Sequence, residues 1–217
     1  ADVRIGRVVY TPVLDETGGF RSDLTVMRLA HDRFRVVTGG AHGMADKKWF
    51  TDRMPDGAVV VDLTSSWTTI GIWGPEAREI VAAITDTDVS HQGFPFGTCR
   101  EIEVGSLHVL ASRISYVGEY GWELYTPMES GAALWERLLE VGTPHGMVPV
   151  GIGVYGTTGR LEKGYRAYGA ELDSERTLME TGMSRAKWKD QAFVGKEAVI
   201  AQALEAPKAV LCTLTVD

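Results

Sequence analysis

The order of periodic segments between residues 66 and 145 constrains the fold more than any other feature. A strand-like run at Trp67–Trp73 leads into Gly74-Pro75, which opens a helix, and then into a hairpin that turns at Gly105-Ser106. A further strand and an apolar-faced helix follow. This order is typical of a small α+β sandwich of ferredoxin-like type. The elements expected in it are a helix over Glu76–Ile84, strands over Cys99–Val104, Leu107–Ala111 and Trp122–Thr126, and a helix over Met128–Val141.

Short β-branched and aromatic segments before this unit indicate a β-meander. They are Val8–Tyr10, Asp23–Leu29 and Phe34–Thr38. A helix over Ala45–Met54 and a strand over Ala58–Leu63 are expected next, and a last strand over Ala209–Val216. Because both ends are strand-like, we expect a piece of a longer polypeptide whose open sheet edges favour self-association.

Composition and charge exclude several classes of partner. The chain has 217 residues and a formal net charge of -7 at pH 7, which gives no attraction for nucleic acid or for an acidic membrane surface. No apolar run approaches the roughly 18 residues that a membrane span needs. An anionic ligand must therefore meet a local group of Arg or Lys.

Cysteine and histidine spacing predicts no metal site. Cys99 and Cys212 lie far apart, so free thiols in a reducing compartment are expected, and this favours a cytoplasmic location. The five histidines form no pair or acidic cluster with the spacing of metal ligands.

The run Gly151-Ile152-Gly153-Val154-Tyr155-Gly156 matches a dinucleotide fingerprint, but a loop rather than an apolar strand precedes it, so no nucleotide site is assigned.

A carboxylate follows a glycine pair in Gly18-Gly19-Phe20-Arg21-Ser22-Asp23-Leu24. Glycines permit a tight turn and the close approach of another molecule, and Asp23 at the start of a strand is well placed to act on a ligand. An ordinary hairpin turn with a solvated Asp23 explains the same residues, and the pattern alone favours that interpretation.

The most specific motif is Tyr116-Val117-Gly118-Glu119-Tyr120-Gly121-Trp122-Glu123, in which glycines and carboxylates alternate with aromatic residues. Such a combination suits a flat, nitrogen-rich ligand. A bulged strand with a surface Glu119 is the alternative. Glu123 shares a strand face with Gly121 and is interpreted as structural.

Together with Gly164-Tyr165-Arg166-Ala167-Tyr168-Gly169, these motifs resemble the tetrahydrofolate-binding glycine-cleavage T-protein family, and more closely the folate half of dimethylglycine and sarcosine dehydrogenases and oxidases. The resemblance implies a folate-binding aminomethyltransferase-like α+β fold, truncated at both ends. In it, residues 1–64 and 146–206 belong to the first domain, 65–145 are an inserted ferredoxin-like domain, and 207–217 are the first strand of a C-terminal barrel.

The resemblance also implies roles for single residues. Asp23 corresponds to the catalytic Asp that orients or deprotonates the reactive nitrogens of tetrahydrofolate. Glu119 corresponds to the first Glu of Tyr-x-Gly-Glu-x-Gly-x-Glu, which accepts hydrogen bonds from the donor edge of the pterin. Tyr116 would shape the same pocket. Tyr10 would lie near the ligand, although a buried Tyr with a backbone partner explains it equally well.

One segment departs from the T-protein pattern. T-proteins carry Ala-Arg-Asp-Ser-Leu-Arg-Leu-Glu, and alignment on Arg160-Leu161-Glu162 puts Gly156 where an Arg that contacts the folate tail would stand. Arg160, Lys163 and Arg166 are the expected replacements, although a solvated basic face explains the last two as well. The dehydrogenase relatives also lack that Arg.

These observations lead to one main hypothesis and two alternatives. The main hypothesis is tetrahydrofolate-dependent one-carbon transfer in the folate domain of a flavin-linked dimethylglycine or sarcosine dehydrogenase, which forms methylenetetrahydrofolate from a small N-methylated amine. FAD is then expected only on a separate domain of the same polypeptide. The alternatives are an aminomethyltransferase of the glycine cleavage system and a non-catalytic folate-binding or interaction module.

Overall fold

The computed structural model describes residues 3–184 and 189–215 and has an α+β fold with two antiparallel sheets. The strands are β1 (Val8–Leu14), β2 (Phe20–Arg28), β3 (Phe34–Thr38), β4 (Trp67–Trp73), β5 (Cys99–Val104), β6 (Leu107–Ser112) and β7 (Gly121–Pro127). The helices are α1 (Gly43–Thr51), α2 (Ala77–Ala82), α3 (Gly131–Gly142), α4 (Arg160–Glu162) and α5 (Lys196–Gln202). A π-helical turn over Val154–Gly159 leads directly into α4.

The two sheets follow the predicted strand pattern. The first has the order β1-β2-β3 and is the expected meander, while the second has the order β4-β7-β6-β5. The predicted hairpin joins β5 and β6, and Gly105 in its turn has a φ of 60°, where a side chain would be strained. The helix expected over Ala45–Met54 begins at Gly43 and ends at Thr51.

Helices α2 and α3 cover one face of the four-stranded sheet. Its core includes Ile72, Ile80, Val81, Ile102, Val109, Trp122, Leu124, Leu134 and Leu138. Trp122 and Leu124 of β7 point toward the helices, so Glu123 and Tyr125 point to the opposite face. The layers are those expected of the inserted unit. The second helix, however, follows the last strand, whereas it precedes that strand in the ferredoxin-like order.

The opposite face of the four-stranded sheet packs against the three-stranded sheet. The buried residues shared by the two sheets are Val8, Met27, Cys99, Leu110 and Tyr125. The Cys99 amide donates a hydrogen bond to the Gly6 carbonyl at 2.7 Å, so backbone contacts also join the sheets. Both cysteines are free, as expected from their spacing.

A third core fixes the segment that follows α3. It consists of Leu14, Phe20, Leu172, Leu178 and Val199. Because Leu14 and Phe20 flank the turn between β1 and β2, the later segment packs at that end of the first sheet. A β-bridge between Gly19 and Thr177 joins the two parts of the chain at the turn that precedes Asp23.

The strands expected over Ala58–Leu63 and Ala209–Val216 are wrong for the part of the chain that the structure describes. Residues 58–63 and 209–215 pair with no strand there, and Val216 lies outside the described residues. Val59, Val61 and Leu63 are 81%, 67% and 44% exposed. Their apolar alternation fits a strand, but a strand forms only when a neighbouring strand satisfies its backbone groups.

The described helices include none with the length and apolar character needed to cross a bilayer. The cytoplasmic location stays a prediction.

Candidate functional site

A hydrogen bond between β1 and β2 joins two of the predicted site residues. The Tyr10 hydroxyl donates to Asp23 Oδ2 at 3.0 Å. Tyr10 lies opposite Thr25 and Asp23 opposite Pro12, so the two side chains are diagonal neighbours on one face of the sheet. The register of the meander therefore brings together residues 13 positions apart in the sequence.

The surroundings of Asp23 raise its pKa above the ordinary value for Asp. Burial raises the pKa of Asp23, the hydrogen bond from Tyr10 and the charge of His42 act against this, and the Asp46 carboxylate adds to it. Asp46 is itself buried and accepts a hydrogen bond from the Ser22 hydroxyl at 2.7 Å. A carboxylate whose pKa is raised toward neutrality is better suited to exchange a proton with a ligand.

The glycine pair beside Asp23 serves the packing of the chain itself. Gly18 has a φ of 82°. A Cβ on Gly19 would lie 2.1 Å from the Ser174 carbonyl oxygen, and Gly19 forms a β-bridge with Thr177. The close approach that the sequence indicates is therefore made by a later segment of the same chain, and the expectation that a second molecule requires it is corrected.

A second carboxylate lies on the face of β7 that is turned toward the three-stranded sheet. Glu123 accepts hydrogen bonds from the hydroxyls of Tyr125 and Tyr155, the latter at 3.3 Å. Its cross-strand neighbour is Gly71, over which the Trp73 ring lies. Burial raises the pKa of Glu123, although both hydrogen bonds act against this. The sequence motif predicts a structural role for Glu123, whereas the structure gives this carboxylate the environment of a site residue.

Aromatic rings connect the surroundings of the two carboxylates. The centroid of the Tyr155 ring lies 5.2 Å from that of Trp73 and 5.3 Å from that of Tyr116. Tyr116 in turn stacks on Tyr165 with a centroid distance of 5.9 Å. Burial raises the pKa of Tyr116 to about 12, and the charge of Asp23 adds to this, so Asp23 lies within electrostatic range of the ring. The site therefore has two carboxylates and aromatic walls.

The π-helical turn carries Tyr155 in this wall. Turns with i to i+5 hydrogen bonds are rare, occur mostly as single turns inside α-helices and are frequent at functional sites. A Cβ on Gly159 would lie 2.7 Å from Val117 Cγ1, so the turn packs closely against the Tyr116 loop.

Glu119 occupies a different environment from Glu123. It is exposed, in the bend before β7. An open hollow of about 310 Å³ beside it is lined also by Arg113, Lys163 and Tyr165. Glu119 accepts no hydrogen bond from another described side chain, so it lacks the phenol contacts that fix Glu123.

Arg160 has a structural environment. It is 5% exposed, and its Nη1 donates to Glu171 Oε2 at 2.7 Å and to the Tyr165 carbonyl at 3.1 Å. Its Nε donates to the Gly156 carbonyl at 2.8 Å. Although burial acts in the other direction, the hydrogen bonds from Arg160 and from the Ala167 amide lower the pKa of Glu171. The guanidinium is thus engaged within the chain, which argues against its predicted role in ligand binding.

The arrangement suits recognition of a flat ring that carries N–H donors. A carboxylate binds adjacent N–H groups through two charge-assisted hydrogen bonds, and aromatic faces cover the ring. Groups of His, Cys, Asp and Glu able to hold a metal ion are absent from the described residues.

One feature of the sequence could have identified Glu123 as a site residue. In the alternating pattern of β7 it lies on the face opposite the apolar residues Trp122 and Leu124.

Residues 1–190 match the GCVT N-terminal domain. The chain belongs to this family. It is 34% identical to an aminomethyltransferase of Thermoanaerobacter sp. (strain X514), over 93% of this chain and 55% of that protein. It is 36% identical to an aminomethyltransferase of Clostridium botulinum (strain ATCC 19397 / Type A), over 91% of this chain and 54% of that protein. The chain thus spans about half the length of these curated relatives.

Solved structures agree with the family assignment at the level of the fold. The glycine cleavage system aminomethyltransferase T of Bartonella henselae superposes with a TM-score of 0.78 at 24% identity, over 95% of this chain and 55% of that chain. The heterotetrameric sarcosine oxidase of Corynebacterium sp. U-96 gives 0.53 at 17% identity, over 68% of this chain and 69% of that chain. The GCVT fold is therefore common to this chain and both enzymes.

Proposed function

We propose that this chain binds tetrahydrofolate and forms the folate-binding part of an aminomethyltransferase of the T-protein type. The observation that carries the proposal is the pair of partly buried carboxylates, Asp23 and Glu123, each bonded to a tyrosine hydroxyl and connected by aromatic rings. The curated relatives named above, all aminomethyltransferases, support this choice over the dehydrogenase hypothesis.

Glu123 is the proposed anchor of the pterin. Its two oxygens accept from Tyr125 and Tyr155, and each oxygen has a second lone pair for the ring N–H and amino group of a pterin. The rings of Tyr116 and Trp73 flank Tyr155 and would exclude water from these hydrogen bonds. Glu123 thus replaces Glu119 in the role that the resemblance assigned to the first Glu of the motif.

Asp23 is the proposed proton acceptor. Tetrahydrofolate, when bound, supplies the nucleophilic nitrogens to which the one-carbon unit is transferred. Burial raises the pKa of Asp23, which makes the carboxylate a stronger base than an exposed Asp, and the hydrogen bond from Tyr10 fixes its orientation. Its two tasks are to orient the nitrogens and to take up the proton that one of them releases.

A second candidate function is the folate half of a flavin-linked dimethylglycine or sarcosine dehydrogenase or oxidase. Gly156 favours it, because the pattern of the resembling dehydrogenases also lacks the T-protein Arg at that point of the sequence. FAD would then bind to a separate domain, and the substrate would be a small N-methylated amine. The two candidates predict different carbon donors, an aminomethylated lipoyl carrier for the first and an N-methylated amine for the second.

Titration with tetrahydrofolate tests the proposed function. Trp73 lies beside Tyr155 in the site, so its fluorescence should change when the ligand binds. We expect saturable binding that Glu123→Gln weakens and that Glu119→Gln, the matched control in the same motif, leaves unchanged. Absence of saturable binding by the folded chain would contradict the proposal and favour a non-catalytic interaction module.

A further inference from the structure

The first turn of helix α1 is held against the strands beside Asp23. Asp46, in this turn, is buried and accepts hydrogen bonds from the hydroxyls of Ser22 and Thr38. Ser22 directly precedes Asp23 in β2, and Thr38 is the last residue of β3. Because one carboxylate is bonded to both strands, the start of the helix is fixed at the edge of β2 that carries Asp23.

His42, the residue before this helix, lies at the end of β3. Its amide donates to the Gly39 carbonyl at 2.9 Å, and a Cβ on Gly39 would lie 3.6 Å from His42 Cδ2. Thr38 is opposite Leu24 in the antiparallel register. The next residue along the chain, Gly39, therefore comes alongside Asp23. The backbone thus brings the imidazole to the position on the β2 edge where Asp23 stands.

A later segment of the chain fixes the orientation of the imidazole. The Tyr168 ring meets the His42 ring edge-on, with a centroid distance of 4.8 Å and an interplanar angle of 77°. A Cβ on Gly169 would lie 3.7 Å from His42 Nε2. The ring is therefore partly buried between two glycines, and a side chain at position 39 or 169 would contact it.

A positive charge on His42 opposes the effect of burial on Asp23. Burial raises the pKa of Asp23, and the Asp46 carboxylate adds to this. The hydrogen bond from Tyr10 and the charge of His42 lower it. Of the groups named here, the imidazole alone can carry a positive charge, since the other titratable side chains around Asp23 are phenols: Tyr10 on β1, Tyr116 before β7 and Tyr155 on the π-helical turn.

We propose that His42 is a positioning residue of this site, and that its protonated ring holds the Asp23 carboxylate in the ionised form that accepts a proton. The inference rests on the proposed function and deepens it, because it assigns the group that keeps the base ionised. Burial makes a carboxylate a stronger base but also favours its protonated form, and a protonated Asp23 cannot take up the proton that tetrahydrofolate releases. The imidazolium extends the range in which Asp23 is ionised to lower pH, and it acts through Asp23 rather than on the ligand.

The titration of the Asp23 carboxyl tests the inference without any ligand. The NMR resonance of this carboxyl carbon, assigned by its loss in Asp23→Asn, is followed against pH in wild type, His42→Gln and His42→Lys. We expect the titration to shift to higher pH in His42→Gln, which removes the charge, and to stay near wild type in His42→Lys, which keeps it. Lys47→Gln is the matched control, because it removes a positive charge from the same helix at a residue that pairs with Asp62.

Single-turnover kinetics in the whole protein measure the consequence for the reaction. In His42→Gln, methylenetetrahydrofolate formation at saturating tetrahydrofolate should be slower than in wild type at acidic pH. It should approach the wild-type rate as the pH rises, because Asp23 is then ionised in both proteins. His42→Lys should restore the rate at acidic pH. A merely structural role for His42 would lower the rate at every pH.

Three results would overturn the inference: an Asp23 titration that is the same in wild type and His42→Gln, an equal shift in His42→Lys, or an equal shift in Lys47→Gln. His42→Asn, which is also uncharged, repeats the comparison should His42→Gln not fold. The expected shifts in a chain that binds no tetrahydrofolate would contradict the proposed function, while the action of His42 on Asp23 would stand.

Discussion

The Tyr155 hydroxyl donates to Glu123 Oε1 at 3.3 Å and so connects the π-helical turn to strand β7. The two residues come from distant parts of the sequence, and the bond orients a carboxylate that burial disfavours in its charged form. A partly buried carboxylate with a raised pKa is a candidate for function, because perturbed pKa values cluster at functional sites.

Glu123→Gln is expected to separate ligand binding from stability. The substitution removes a charge from a partly buried position, so the free energy of unfolding at neutral pH should stay equal or rise. Tetrahydrofolate affinity should fall about tenfold or more, because a charge-assisted acceptor is lost. Chemical denaturation and a fluorescence titration measure the two quantities. A variant that is both less stable and weaker in binding would indicate a structural role for Glu123.

The same carboxylate predicts a pH dependence of stability. The pKa of Glu123 is raised in the folded state, so the native chain holds its proton more tightly than the unfolded chain does. The stabilisation that comes from this tighter proton binding is present at pH values below the ordinary pKa of Glu. It is lost as the pH rises through the pKa that Glu123 has in the folded state. Denaturation curves recorded across this range should show the loss in wild type and a smaller loss in Glu123→Gln. Identical pH profiles would contradict the raised pKa.

Asp23→Asn should affect the chemical step more than ligand binding. Asparagine can still accept the hydrogen bond from Tyr10, but it cannot take up a proton. In the whole protein we expect formation of methylenetetrahydrofolate to fall about hundredfold or more, the usual effect of losing a positioned base. Single-turnover kinetics at saturating tetrahydrofolate provide the measurement. Tyr10→Phe is the comparison, since it keeps the base and removes only its partner, and full activity in Asp23→Asn would exclude the catalytic role.

The partly buried ion pair between Arg160 and Glu171 predicts a stability effect of opposite pH sign. Arg160→Gln should lower the free energy of unfolding by about 1.5–3 kcal/mol, because Glu171 loses its hydrogen bond from a charged group. The lowered pKa of Glu171 means that the pair stabilises the fold above the ordinary pKa of Glu and that this is lost as pH falls. Urea denaturation of Arg160→Gln, of Glu171→Gln and of the double variant gives the coupling energy. Strictly additive effects would show that the pair contributes no coupling.

The exposed apolar residues 59, 61 and 63 predict self-association. Apolar side chains that alternate along an unpaired extended segment favour pairing with another chain. The weight-average mass in light scattering should rise with concentration, and Val61→Lys should reduce the rise. Gln92→Lys introduces the same charge at an exposed site elsewhere and serves as the control. A constant monomer mass over the whole concentration range would refute the prediction.

Local patterns were sufficient to predict most of the secondary structure. Apolar alternation in β7 and the Gly105-Ser106 turn depend on neighbours in sequence, and these elements form as expected. The strand expected at residues 58–63 depends on a partner that the sequence pattern does not specify. This strand does not form in the described structure. Alternation of apolar residues therefore indicates that a segment can pair as a strand, but it does not show that the segment does so.

The site was predicted in part for a similar reason. The contact between Tyr10 and Asp23 follows from the register of a single meander. The burial of Glu123 depends on a sheet and a π-helical turn from other parts of the chain, so the motif alone favoured Glu119 as the ligand contact and a structural role for Glu123. The pairing of Arg160 with Glu171 likewise depends on a loop that the sequence pattern left undefined.

In a survey of all single substitutions that measures only activity, variants at Gly19 and variants at Asp23 would both be inactive. Activity alone would therefore not distinguish the roles of the two residues. A side chain at position 19 must displace the carbonyl of Ser174, and Leu172 and Leu178 on either side of that segment belong to the third core. Inactive variants at Gly19 should therefore be scarce in the cell because they are degraded, while inactive variants at Asp23 should accumulate normally. Abundance measured alongside activity would show which part of the segment from Gly19 to Asp23 maintains the fold and which part performs the chemistry.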